Sequence, residues 1–353
     1  MNRVIAWIMG FFFRWLPHRG QRALLAAGRP DEHSPVLVTG NYTLTLRRLF
    51  RDIRGRDAWV LSADSGGINV WCAACGGEFT HHQVIQAVKT SRLADKVAHR
   101  KLILPALSAP GVDAGQVREK TGFSVRFGPV RAKDIPRYLD DGMQKTPAMR
   151  RADFSLRHRL DMLVSMNFII WLPLALFFGM FLPSAFWGVT ALFWGIAGVS
   201  YLVFPFLPGR TGYIRMLWVL AALVFLLVAA GTALGAGPLS LWPWMMGGAA
   251  ITVAVFFDAA GIVAPMASDA EAMLFALGIR RLGGLLREKT LGSVRHNPRR
   301  CRACGRCMDV CPLEVFEKDP ETQKIRPAKP RACFSCGACK MQCPQGALEL
   351  EGG

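Results

Sequence analysis

Tyrosine is scarce in this chain, 4 of 353 residues, and acidic residues are few, 25 against 43 Lys and Arg. The formal charge of +18 and the pI near 10.0 suit either nucleic acid or a membrane that obeys the positive-inside rule. No aromatic residues interleave with the basic ones, which argues against nucleic acid as a partner. The mean hydropathy of +0.25 and the 22 Phe favour the membrane. There is no Walker loop and no G-x-G-x-x-G, so nucleotide binding has no support. No cysteine stands outside two tightly spaced motifs, which argues against a disulfide scaffold and for a reducing compartment. The apolar stretch 4–13 is cut short of a membrane span by Arg14, and no small-residue cleavage site follows, so no signal peptide is expected. Two readings remain for it. One is an interfacial anchor helix with Trp7, Phe11, Phe12, Phe13 and Trp15 at the lipid boundary; the other is a helix packed on the membrane domain.

Four apolar runs are long enough to span, given about 20 residues per helix: 162–182, 185–206, 216–234 and 241–257. The connections 183–184 and 235–240 carry no charge, whereas Arg210 and Arg215 separate the second run from the third. Arg150, Arg151, Arg157 and Arg159 precede the first run, and Arg280, Arg281, Arg287 and Lys289 follow the fourth. Cationic flanks stay cytoplasmic. An even number of spans then puts both soluble ends on the cytoplasmic side of the cell (inner) membrane. Asp258 closes the fourth run, where an interfacial or snorkelling role is expected of it rather than ion conduction. With few other polar groups in the runs, the segment reads as an anchor or docking platform, not a pump.

Eight of the ten cysteines form two copies of C-x-x-C-x-x-C-x-x-x-C-P. They are Cys301, Cys304, Cys307, Cys311 and, at a constant offset of 32, Cys333, Cys336, Cys339, Cys343. Thiolates are soft donors that suit iron–sulfur clusters and zinc, and zinc sites rarely use this run. The pattern resembles the bacterial two-cluster ferredoxin, in which the fourth Cys of each run ligates the other cluster. That resemblance implies one 4Fe–4S cluster on Cys301, Cys304, Cys307 and Cys343, and a second on Cys333, Cys336, Cys339 and Cys311. Residues 316–330 would form the connecting hairpin. Arg299, Arg300, Arg302 and Arg306 make the module unusually basic. Such charge favours reduced clusters or docks the module on anionic lipid or an acidic partner; the plainer reading is membrane-proximal charge.

Residues 35–140 alternate between short apolar runs and amphipathic stretches. Strands are expected at 36–39, 58–62, 68–71, 101–104 and 123–127, and helices at 44–53, 81–89, 114–120 and 132–139, an α/β layered domain. Thr80-His81-His82-Gln83 has the form of a capping box. Trp71 and Cys72 fall at an expected strand end, followed by small residues through Gly77 that allow a ligand close to the backbone. Taken alone, Cys72-x-x-Cys75 is a redox dithiol, a metal pair or two buried small residues.

The segments Pro35-Val36-Leu37-Val38-Thr39-Gly40-Asn41-Tyr42, Asn69-Val70-Trp71-Cys72-Ala73-Ala74, Leu102-Ile103-Leu104-Pro105, Ala109-Pro110-Gly111-Val112 and Phe127-Gly128-Pro129-Val130-Arg131 resemble the corrinoid protein of microbial mercury methylation. More distantly they resemble the corrinoid iron–sulfur protein of the acetyl-CoA synthase complex. The resemblance runs over 35–151, a membrane domain follows as in the mercury-methylation family, and the ferredoxin that is a separate partner there is here fused. It implies a cobalamin-type corrinoid bound by Asn69, Val70, Trp71, Cys72, Ala73 and Ala74, with the Cys72 thiolate as the cobalt ligand and catalytic residue. Asp31-Glu32-His33 does not complete the D-x-H-x-x-G pattern of His-ligated cobalamin proteins, which favours Cys72. A strong donor opposite the methyl group favours its release with the electron pair, to Hg(II) or a related soft metal. Re-reduction of the cobalt then needs two electrons, which two one-electron clusters supply. Fusion through a flexible linker raises their local concentration to about millimolar.

Two departures stand against the family pattern. Cys75-Gly76 occupies the place of Gly-Lys, which removes a cation and makes Cys75 a candidate soft-metal thiol. The terminal cysteine pair of the family's ferredoxin is replaced by Glu351-Gly352-Gly353. The expected architecture is multi-domain: an N-terminal interfacial helix and linker (1–30), an α/β Rossmann-like corrinoid-binding domain (31–151), a four-helix transmembrane domain (160–265), a linker (266–297) and an α+β two-cluster ferredoxin domain (298–353). The expected function is membrane-anchored, corrinoid-dependent methyl transfer to Hg(II), with a protein or small-molecule methyl donor and an upstream electron donor as partners. The alternatives are a corrinoid carrier that never meets mercury and a membrane electron-transfer protein without corrinoid.

Overall fold

A computed structural model describes residues 3–14, 16–152, 155–203, 206–207, 212–233, 235, 237–259, 294–330, 333 and 336–350. The chain forms two compact units, one of Met1–Trp15 with Phe154–Leu291 and the other of Leu16–Asp153 with Gly292–Gly353. After an N-terminal helix, α1 (Arg3–Phe12), the second unit begins with strands β1 (Leu24–Ala27) and β2 (Val36–Gly40). It continues through α2 (Thr43–Asp52), β3 (Ala58–Ala63), α3 (Val70–Gly76), α4 (His81–Thr90) and β4 (Lys101–Leu104). Then come α5 (Ala114–Thr121), β5 (Ser124–Phe127), α6 (Ile135–Asp140) and α7 (Pro147–Arg150).

Side chains alternate across a strand, so one sheet can feed two cores. Val36 and Val38 of β2 join Leu61, Ala63, Leu102 and Leu104 on one face. Leu37, between them in sequence, joins Val60 and Ile103 on the other. Both faces are covered by helices, as a parallel sheet requires. The strand order is β1-β3-β2-β4-β5, with β1 antiparallel to β3 and the other pairings parallel. The chain leaves β2 for β3 on one side and returns to β4 on the other. Such a reversal opens a crevice outside the carboxyl ends of the two central strands.

Two sequence expectations change here. Strand β1 falls within 1–30, read as helix and linker, and it closes the edge beside β3. The stretch 68–71, expected as a strand, instead opens helix α3. Asn69 Oδ1 accepts the Trp71 N–H at 2.8 Å, an N-cap, and Gly77 at φ 84° ends the helix. An apolar run of four residues does not distinguish strand from helix; the cap decided. The expected capping box forms before α4, where the Thr80 N–H donates to Gln83 Oε1 at 2.9 Å and Thr80 Oγ1 accepts from the His82 N–H at 3.2 Å.

The other unit is helical. Helices α8 (Leu156–Phe181), α9 (Pro183–Val203) and α10 (Gly212–Ala233) include three stretches long and apolar enough to cross a membrane, the last over Arg215–Ala233. A fourth helix, α11 (Pro238–Ala259), is apolar over the shorter stretch Ser240–Val255. Phe193, Ile196, Ala197 and Tyr201 of α9 pack with Ile251 and Val255 of α11. Helix α1 lies against α8: Phe12 stacks on Phe168 at 4.6 Å, and Arg14 pairs with Asp161 at 3.1 Å. Helix α1 therefore packs on α8 through these two contacts. Trp15, Arg210 and the segment 260–293 with its basic flank lie outside the described residues, as do the side chains of Trp7 and Asp258.

In the α/β unit, β6 (Val294–His296) pairs antiparallel with β9 (Leu348–Leu350), and β7 (Phe316–Lys318) pairs with β8 (Ile325–Pro327), the hairpin expected at 316–330. Two short helices, α12 (Arg306–Val310) and α13 (Ala338–Gln342), follow the cysteine turns.

Gly111 explains how α3 sits so close to the loop after β4. A Cβ there would press on the Phe79 carbonyl oxygen and stand 2.7 Å from that of Ala74, both backbone atoms that cannot swing aside. Gly111→Ala is expected to destabilise the α/β unit by about 1–3 kcal/mol, as overpacking does, read as a lower denaturation midpoint of the purified chain.

Candidate functional site

The crevice end of the sheet is fixed by one buried amide. Asn41, just past β2, accepts through Oδ1 from the Ser65 N–H at 2.9 Å, Ser65 Oγ at 3.1 Å and the Gly67 N–H at 3.1 Å. These bonds tie the loop after β3 to the end of β2 and set where α3 begins. Val70, Ala73 and Ala74 form the inward face of α3. Trp71 and Cys72 are half-buried and Cys75 is exposed, so both thiols lie away from the helix's buried face. Cys75 is exposed as a residue, yet protein atoms around its sulfur push the thiol up, and a hydrogen bond with the Trp71 side chain offsets part of this.

The eight remaining cysteines gather as two sets. Cys301, Cys304, Cys307 and Cys343 line one cavity. Cys311, from the first run, lies with the second: its charge raises Cys336 and Cys339, and Cys333 raises it in turn. Burial is the leading cause throughout, taking Cys307 and Cys336 to about 12 and Cys339 higher. A desolvated thiolate needs a cation, and a soft one suits sulfur. Backbone N–H groups of Ala303, Val315 and Ala347 point at the sulfurs of Cys301, Cys311 and Cys343 at 3.4, 3.5 and 3.2 Å, the outer-shell contacts that such ligands use. The donor set therefore fits iron–sulfur clusters. Among the described residues no three His, Cys, Asp or Glu side chains converge on a single ion. A cluster gives each thiolate its own iron, so its ligands stand apart.

The cysteine segment is seated on the α/β fold. Gln342, buried, donates through Nε2 to the carbonyls of Ala109 at 2.9 Å and Val112 at 2.7 Å. The buried Lys145 ammonium donates to Asp309 Oδ1 and to its carbonyl, each at 2.8 Å. Burial pushes Lys145 down, and the Asp309 charge offsets part of that. The Ala152 N–H donates to the Pro312 carbonyl at 3.1 Å. Val310 and Ala338 enter the core that holds Val70 and Ala73, and Cys336 packs against that core. Because Val70 and Ala73 belong to α3, α3 and the second cysteine run are neighbours.

Comparison with known proteins gives two matches. Residues 15–139 match the family of the CO dehydrogenase/acetyl-CoA synthase delta subunit. Residues 300–348 match the 4Fe-4S dicluster domain. Curated relatives of the first segment include the acetyl-CoA decarbonylase/synthase complex subunit gamma of Methanopyrus kandleri, 36% identical over 126 residues, which are 35% of this chain and 27% of that protein. The same subunit of Methanocaldococcus jannaschii is 31% identical over 131 residues, 36% of this chain and 26% of the relative. Subunit gamma 2 of Methanosarcina thermophila is 36% identical over 117 residues, 32% of this chain and 25% of the relative. The chain thus spans about a quarter of the length of the curated relatives it matches. The distant relation expected to the acetyl-CoA synthase protein is thereby found, as is the 4Fe–4S character of the cysteine runs.

Sequence reading missed Asn41, Lys145 and Gln342, whose roles need partners far along the chain. Only Gln342 left a signal: the 32-residue repeat sets it against Val310, a polar residue where the first copy has an apolar one.

Metal loading and thiol ionisation are linked. Without metal, a thiol raised from 9.0 to about 12 favours the folded state while protonated, so its contribution is complete below pH 9 and is lost as pH rises towards 12. The urea midpoint of the metal-free, reduced chain is expected to fall across that window. Cluster loading requires thiolates, and its affinity is expected to weaken on acidification instead.

Proposed function

We propose that the chain is a membrane-anchored corrinoid protein that transfers methyl groups, with a fused two-cluster module as its reductant. The observation that carries this reading is Cys72. Its soft thiol lies off the buried face of α3, next to the crevice end of a doubly wound sheet, in the compact unit that also holds the cysteine runs. Half-buried on α3, Cys72 is neither sequestered in the core nor loose on a chain end, and it would hold the corrinoid. Bound there, the corrinoid would supply the methyl-carrying metal.

The chain's own residues do the rest. Asn69 caps α3 and fixes the orientation of Cys72, Asn41 anchors the loop that leads into it, and Val70, Ala73 and Ala74 hold the helix down. Together they form a Rossmann-like platform for a planar ligand. Cys301, Cys304, Cys307 and Cys343 would hold one cluster, and Cys333, Cys336, Cys339 and Cys311 the other. Helices α8 to α11 form a four-span anchor, and the cationic flanks keep both soluble parts cytoplasmic.

The acceptor in this reading is Hg(II) or a related soft metal, for which Cys75 is the capture thiol. A second reading has its own support: the relatives are subunits of an acetyl-CoA decarbonylase/synthase complex, and Cys75-Gly76 replaces the Gly-Lys of the mercury-methylation pattern. In that case the chain carries one-carbon groups between protein partners without meeting mercury.

Cobalt analysis of anaerobically purified chain separates both readings from a plain electron carrier. About one cobalt per chain is expected, and iron with sulfide but no cobalt would refute the corrinoid. Cys72→Ala is expected to abolish methylmercury formation in anaerobic cells and to change the absorbance of the bound corrinoid. Methylation retained in that variant excludes Cys72 as the ligand. No methylmercury from wild-type chain that contains cobalt selects the second reading.

A further inference from the structure

The duplicated cysteine segment has two unlike faces. Residues 294–307 hold five Arg, one His and no Asp or Glu. Arg299, Arg300, Arg302 and Arg306 are all exposed, and Arg302 and Arg306 line the same cavity as Cys301, Cys304, Cys307 and Cys343. Cys304 is exposed as well. On the opposite face, Cys336 and Ala338 pack into the α/β core.

The 32-residue repeat makes the contrast sharp, since Ala338 occupies the position of Arg306 and is 2% exposed. An arginine at 338 would bury a charge in an apolar core, which is prohibitive without a partner. The alanine at 306 that symmetry allows is instead a solvated cation. At this position one copy is covered and the other is open to approach.

We infer that the arginine rim around Cys304 is the docking surface for an acidic, one-electron donor protein. Electrons enter at the set Cys301, Cys304, Cys307 and Cys343, and leave towards α3 through the set that contains Cys336. This rests on the two-cluster reading above. Each transfer oxidises the donor by one electron and reduces the module by one, with no bond made or broken. Clustered charge raises encounter rates with an oppositely charged partner. An anionic bilayer would satisfy the same arginines, but on this face it would cover the exposed ligand sulfur through which a donor must pass its electron.

The test mixes reduced flavodoxin, a small acidic protein, with cluster-loaded, corrinoid-free full-length chain in detergent at low salt. Flavin absorbance gives the second-order rate. The pairs Arg302→Glu with Arg306→Glu, and Arg299→Glu with Arg300→Glu, are each expected to slow it about tenfold and to flatten its salt dependence. Iron and sulfide content should stay unchanged. Lys89→Glu, at the exposed end of α4, should leave the rate as it is. If the first pair loses iron, the second pair decides, because its residues do not line the cavity. Rates equal to wild type overturn the inference, as does a loss confined to binding of phosphatidylglycerol vesicles, which assigns the arginines to lipid. The assay contains no corrinoid, so its failure leaves the corrinoid reading standing, and absence of cobalt leaves this inference standing.

Discussion

The loop Ala109–Val112 carries the arrangement on which this unit depends. On one side Gly111 lies against the backbone of Ala74 and Phe79, leaving no room for a side chain. On the other, the carbonyls of Ala109 and Val112 receive both bonds from Gln342. Buried carbonyls must be paired, and an unpaired one costs about 1–3 kcal/mol. Here the donors come from the cysteine segment more than two hundred residues away. The loop therefore joins the helix that bears Cys72 and Cys75 to the helix that ends beside Cys343. Lys145 and Asp309 repeat the device with a charge, buried on one side and half-exposed on the other. A flexible tether would bring the two parts together by chance encounter; paired buried groups hold them in one register.

Desolvation of sulfur is the second constraint. Raised thiols make the metal-free segment a poor host for thiolate, so the metal must contribute much of what holds the cysteine turns together. The short strands and helices of 294–350 enclose little apolar material besides the cysteines themselves, since their core consists of a few side chains such as Val315, Phe316, Ile325 and Leu348. The α/β part is different. Its sheet feeds two cores, and one of them also takes in Val310 and Ala338 of the cysteine segment. The helical unit follows a third logic, with long apolar helices whose exposed side chains include Phe177, Trp187 and Phe225.

Much was legible along the chain because it is local. The cysteine spacing and its repeat, the alternation of apolar and amphipathic runs, the capping box at Thr80 and the apolar lengths of α8 to α10 each depend on residues within a few turns of one another. The α2, α4 and α5 boundaries fell within a residue or two of their expected places for the same reason. Where two local signals competed, sequence reading failed. Ile68-Asn69-Val70-Trp71 has strand-forming residues, but Asn69 is a better helix cap than a strand residue, and the buried faces of Val70, Ala73 and Ala74 tipped the balance once they had a core to meet.

The chemistry this protein can hold was written in its amino-acid order: soft thiolates in two runs, a thiol pair after a sheet strand, and apolar stretches of membrane length. What the order of residues could not convey is which positions of the cysteine repeat face the α/β domain, that β1 pairs antiparallel with β3, and that Asn41, Lys145 and Gln342 fasten distant segments. Those outcomes were decided by packing. Burial and hydrogen-bond satisfaction depend on partners that only the folded chain brings together, so an Ala at 338 and an Arg at 306 look equivalent in a repeat and become opposite faces in the fold.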